Sequence, residues 1–164
     1  MHCYPAMSNL CKRFFDDKHE IVTALNNGML KVFKNIAQYE EAKSELLTWV
    51  YAIVRNEALT LVRNKKSVVS NNELPAELSA ELSAEITTNP FVKATDSDAV
   101  FYLSKLPRMT RAACSLFYIE GYCIKEIAAS LEMKEGTVKW HLSEGRKQLQ
   151  SIFKKKDERF VKAG

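Results

Sequence analysis

Thr137, Lys139, Trp140, Ser143, Arg146 and Lys147 fall within three helical turns of one another, around the apolar positions Val138, Leu142 and Leu149. Apolar residues four and seven apart occupy one side of a helix, so the polar and cationic side chains are expected on the other. Lysine and arginine neutralise phosphates or reach guanine edges, and the hydroxyls of Thr137 and Ser143 suit phosphate oxygens. Trp140 fits either a groove wall or packing back against the domain. Glu144 suits a cytosine amino group, and His141 a groove contact rather than acid–base work. The chemistry is recognition of a polyanion.

A second constellation lies upstream. With Leu46, Leu47, Val50, Ile53, Val54 and Leu61 forming an inward stripe, Arg55, Asn56 and Arg63 point away from the core, and Trp49 and Tyr51 lie at its rim. Arginines there would hold a phosphate backbone. An aromatic ring would stack on an unpaired base, worth about 1–3 kcal/mol. No glycine-rich phosphate loop, paired-histidine motif or nucleophile elbow occurs, so no catalytic site and no cofactor are expected. Cys3, Cys11, Cys114 and Cys123 form no C-x-x-C pair and the three histidines complete no zinc pattern, so no metal site is expected. No apolar run approaches a membrane span, and Met1–Pro5 lacks the basic head and apolar stretch of a secretory signal, which makes the cytoplasm the expected compartment.

The elements that must carry these residues are helices. Ile21, Leu25, Met29, Val32, Phe33 and Ile36 repeat at helical spacing and are expected in a core, and few residues alternate as in a strand. The fold class is therefore all-α. Residues 67–98 break the pattern with Ser70-Asn71-Asn72, Pro75, an Ala-Glu-Leu-Ser echo and Thr87-Thr88-Asn89-Pro90. They read as a linker between two small helical domains, 1–66 and 99–164. Charge follows the same division. Residues 1–65 carry 9 basic and 7 acidic side chains, residues 66–98 carry 2 and 6, and residues 99–164 carry 13 and 7. A basic final third fits a polyanion partner.

That third is clearly punctuated. Leu103–Leu106 ends a helix before Pro107, and another runs from about Arg108 to Glu120 and stops at Gly121. A third covers about Ile124–Leu131, and the turn Glu132–Glu135 leads into a last helix from about Gly136 to Phe153. Ile127, Ala128 and Leu131 facing Val138, Leu142 and Leu149 make residues 124–149 a helix-turn-helix, with the second helix free to enter a major groove.

Leu106-Pro107, Phe117–Gly121, Lys125–Ala129, Glu135–Lys139 and Arg146-Lys147, in this order over about 45 residues, resemble region 4 of the sigma-70 superfamily. Val138–Ser143 also resembles the LuxR-type helix-turn-helix, and the upstream half decides between them. Gly28–Ile36, Trp49–Asn56 and Arg63–Lys66 resemble region 2 of the same superfamily, a segment that LuxR-type proteins lack. Two regions with no third between them resemble the extracytoplasmic-function sigma factors. The resemblance implies partners: RNA polymerase core docked on the second helix around Thr23, Asn27 and Lys31, and an anti-sigma factor. It also implies a −35 promoter duplex on the last helix and a melted −10 strand at Trp49, Arg55, Asn56 and Arg63. The acidic linker, with Glu73, Glu77, Glu81, Glu85, Asp96 and Asp98, would be drawn through a basic polymerase channel. To reach promoter elements about 70 Å apart it must extend well beyond its average span of roughly 30 Å.

The chain departs from the family at several points. The helix ahead of Tyr4–Phe15 is short. Neutral Thr23 and Asn27 stand where acidic residues are usual, and Thr60 stands for an aspartate. Glu132 replaces a turn glycine, and Lys134 is a poor helix N-cap. The alternative function is a helix-turn-helix regulator, LuxR-like or a sigma homologue that no longer engages polymerase.

Overall fold

The computed structural model describes residues 3–66, 90–91 and 95–162, and divides the chain into two units, 1–70 and 71–164. All regular elements among the described residues are helical.

The first unit holds α1 (Cys3–Lys12), α2 (Lys18–Asn35), a single 3-10 turn at Ile36–Gln38, and α3 (Leu46–Lys66). Asp17 starts α2, its carboxylate accepting from the His19 N–H at 3.2 Å. α1 and α3 both pack on α2 and on each other, burying Met7, Leu10, Phe14, Leu25, Val50, Val54, Ala58 and Val62. The α2–α3 seam is built on Ala24, Gly28 and Val32. A Cβ placed on Gly28 would lie 3.0 Å from the Val54 Cα, so the backbones approach closely only because no side chain intervenes.

This narrow seam corrects the expected stripes. Leu25 and Val32 are buried, but Phe33 is 70% exposed and Ile36 50%. Phe33 lies about a quarter-turn from Val32, outside the strip that α3 covers. Leu46 and Leu47 are also exposed, because the first turn of α3 precedes the first buried position, Val50.

The second unit holds α4 (Asp96–Leu103), α5 (Arg108–Cys114) continuing through a π-helical turn at Ser115–Ile119, α6 (Ile124–Leu131) and α7 (Glu135–Lys162). α7 packs on α5 and α6 and buries Val138, Leu142 and Leu149. Near its other end Phe153 meets Tyr102 of α4 edge-on, ring centres 4.6 Å apart. α7 runs well past the expected Phe153. Gly121 has φ +74°, as a helix stop requires, and Glu132 has φ +51° at the end of α6. The missing turn glycine therefore costs about 1 kcal/mol.

The linker expected at 67–98 lies largely outside the described residues. Its described end differs from a plain spacer: α4 begins at Asp96, and Asp98 caps it, exchanging bonds with the Thr95 backbone and hydroxyl. Phe91 is buried, its ring centre 6.2 Å from that of Tyr118.

Candidate nucleic-acid and docking surfaces

α6, the left-handed Glu132 and α7 form the helix-turn-helix. Glu126 Oε2 accepts from the Cys123 N–H at 2.8 Å and closes the start of α6, and this bond and one with the Cys123 thiol hold the exposed Glu126 carboxyl below its ordinary range. Met133 N–H donates to the Ala128 carbonyl at 3.0 Å and fixes the turn. Beyond it, Lys147 is exposed, and Thr137, Lys139, Trp140 and Arg146 are half-buried.

Two expected groove residues turn inward. Ser143 is buried at 7% exposure and is no part of the outer face. His141 bonds Thr110 of α5 through Nδ1 at 2.9 Å, so it pins α7 to α5 instead of reaching a groove. Trp140 lies edge-on to His141, ring centres 4.9 Å apart. Arg146 is close enough to Tyr118 for its charge to favour the phenolate, although burial still pushes that hydroxyl up to about 12.

The residues that orient this face were not singled out in the sequence. Arg111 of α5 is buried and donates through Nη2 to the carbonyls of Ser104 at 2.8 Å and Leu106 at 3.2 Å, tying down the turn that joins α4 to α5. Gly145 is buried where α7 crosses α5. A Cβ there would come 2.4 Å from the Cys114 sulfur. A glycine inside a helical pattern is a sequence signal for such a crossing.

In the first unit, Trp49, Asn56 and Arg63 stand seven residues apart on α3, close to two turns each, and so line one stripe. Asn56 is exposed, and Trp49, Arg55 and Arg63 are half-buried. The Trp49 ring leans on Tyr39, ring centres 5.4 Å apart. Arg63 Nη2 donates to the Thr60 hydroxyl at 3.1 Å, which donates to the Asn56 carbonyl at 2.9 Å. Thr60 thus braces the stripe from within. Tyr51 instead accepts from Arg13 at 3.2 Å and ties the residue that follows α1 to α3.

Thr23, Asn27 and Lys31 follow one another at four-residue intervals along α2, with Thr23 and Lys31 exposed and Asn27 half-buried. Glu57 of α3 reaches this row from below. It is buried, pairs with the Lys31 ammonium, and accepts from Asn27 Nδ2 at 3.5 Å. Val22, Leu30 and Phe33 of the same helix are exposed.

Two sigma-70 families match separate parts of the chain: region 2 over residues 1–68 and region 4 over residues 101–149. The chain belongs to the sigma-70 family, extracytoplasmic-function type. It is 30% identical over 150 residues to the ECF RNA polymerase sigma factor SigE of Mycolicibacterium smegmatis, covering 89% of this chain and 56% of that protein. It thus spans little more than half of SigE's length. It is also 23% identical over 138 residues to the ECF RNA polymerase sigma factor SigM of Bacillus subtilis, covering 84% of this chain and 82% of that one. A sigma factor RpoE from Bartonella quintana, solved with the anti-sigma factor NepR, matches with a TM-score of 0.52 at 19% identity, over 93% of this chain and 92% of that one, and shows the same fold. The region 2 match speaks against the LuxR-type alternative. Among the described residues no helix is long and apolar enough to cross a membrane, and no group of three or more metal-binding side chains occurs.

Proposed function

We propose that this chain directs RNA polymerase core to specific promoters and helps open the DNA there, without catalytic chemistry of its own. The observation that carries this is the pairing in one chain of a helix-turn-helix bearing Lys139 and Lys147 with an α3 stripe of Trp49, Asn56 and Arg63. The first suits a duplex and the second a strand being separated. In this reading Thr137, Lys139, Trp140, Arg146 and Lys147 meet the −35 duplex, and Ser143 is left out. Trp49, Arg55, Asn56 and Arg63 hold the −10 strand, and Thr23, Asn27 and Lys31 face polymerase. The domains are 1–66 for polymerase and the −10 element and 99–164 for the −35 element, with Phe91 an added anchor of the latter. The compartment is the cytoplasm, where polymerase and its template are, and an anti-sigma factor is a further partner.

The deciding experiment is capture of core polymerase by the full chain, followed by run-off transcription with the captured complex. Promoter-dependent transcripts are expected. Lys139→Ala is expected to weaken −35 duplex binding about tenfold and to lower the slope of log affinity against log salt by about one unit, as loss of one phosphate contact does. An unchanged slope would remove α7 as the reader. The double variant Arg55→Ala/Arg63→Ala is expected to slow strand opening, followed by permanganate reactivity of unpaired thymines, more than it weakens closed-complex binding. Equal loss in both assays would contradict the assignment of the α3 stripe.

The neutral pair Thr23 and Asn27 favours a second reading, a DNA-binding homologue that has lost polymerase. Duplex binding without polymerase capture would establish it.

A further inference from the structure

We infer that Glu57 is a positioning residue for polymerase docking: it neutralises and holds Lys31, so that this lysine brings no unpaired charge to the face α2 offers its partner. The inference rests on the reading of α2 as the docking helix. Three observations carry it. Glu57 is buried between α2 and α3, yet both its contacts on α2, the Lys31 ammonium and the Asn27 amide, belong to the row assigned to docking. Lys31 itself is half exposed, with its side chain at 54%, so its charge stands at the surface and its counter-charge beneath. Around it Val22, Thr23, Leu30 and Phe33 are exposed and uncharged, and Lys34, one turn on, is exposed and charged.

A partner pressed onto this helix covers Lys31. An ammonium that loses water without a counter-ion is strongly disfavoured, whereas one already paired by its own fold brings a much smaller penalty. Glu57 therefore lets a contact close over Lys31, and it fixes the lysine stem flat along the helix. The partner surface that fits is apolar where it meets Val22, Leu30 and Phe33, and the paired Lys31 adds little to the salt dependence of its grip on the wild-type chain.

The test measures the affinity of the full chain for core polymerase at several salt concentrations, with a thermal melt of each variant run alongside. Glu57→Gln keeps an oxygen for Asn27 and removes the charge. It is expected to weaken capture about three- to fivefold and to make it more salt-dependent, at temperatures where the variant is folded. Adding Lys31→Met in that background removes the stranded ammonium and is expected to restore both affinity and salt dependence. A lowered melting temperature with capture and salt dependence unchanged would show that the pair only stabilises the fold, and would overturn the inference. So would weakened capture that Lys31→Met does not rescue. If wild type itself is not captured, the docking reading falls, whereas a captured wild type matched by Glu57→Gln removes the role of Glu57 alone.

Discussion

Arg111→Ala is expected to destabilise the second unit by about 3 kcal/mol, a large share of the 5–15 kcal/mol typical of a small domain. The guanidinium is buried and one nitrogen serves two carbonyls, those of Ser104 and Leu106, in the turn between α4 and α5. Alanine leaves both acceptors without that donor and opens the space the long stem fills. Lysine in its place supplies charge but not the rigid planar fork, so Arg111→Lys should recover less than half of the loss. Each unit contains one of the two tryptophans, Trp49 in the first and Trp140 in the second. Urea titration in a Trp49→Phe background, followed by Trp140 fluorescence, therefore reports the second unit alone. A loss below about 1 kcal/mol would mean that the carbonyls find other donors and that Arg111 is not the tie of this turn.

Gly145→Leu should cost about 3 kcal/mol or more by the same measurement, since extra methylenes in a packed crossing force α7 away from α5. Even a single methyl would meet the Cys114 sulfur at 2.4 Å and Thr110 Cγ2 at 3.0 Å. The identity of the opposing atom makes a sharper check. Gly145→Ala alone should destabilise despite the better helix propensity of alanine, which is worth about 1 kcal/mol. Combined with Cys114→Ala it should cost less than the sum of the single changes by more than about 1 kcal/mol, because the methyl then takes the place the sulfur vacates. Additive costs would show that the contact relaxes by rotation of the thiol. Burial pushes that thiol up to about 12, so it is neutral and inert at ordinary pH and acts here through its volume.

The helices of the second unit were legible because their punctuation is chemical and local. Pro107 and Gly121 mark an end and a stop, and the spacing of Val138, Leu142 and Leu149 declares an inward face. What failed were inferences about what lies opposite a helix. Phe33, Ile36, Leu46 and Leu47 obey helical spacing, yet no described neighbour covers them, and spacing alone cannot tell a wide seam from the narrow one set by Gly28. Ser143 looked outward on composition and is buried. His141 is polar and lies on the recognition helix, but its partner Thr110 is far away in sequence. Glu57 and Arg111 escaped notice for a related reason: a charge buried by its partners looks in sequence like any surface charge. Trp49, Asn56 and Arg63 stand seven residues apart, so their shared side of α3 follows from helical spacing alone, whereas the bond of Tyr51 to Arg13 depends on a neighbour far away in sequence.

The unbroken course of α7 from Glu135 to Lys162 has a mechanical consequence. Twenty-eight residues make a rod of roughly 42 Å. Its base lies at the helix-turn-helix, clamped by His141, Leu142 and Gly145, and its far portion extends beyond Phe153. Leu149 and the Phe153–Tyr102 contact hold the rod again further along, so the helix-turn-helix and α4 are joined through one stiff element. A tilt at its first turns is therefore resisted at two separated places, and a fluorophore on the far portion would move with the recognition helix as one body.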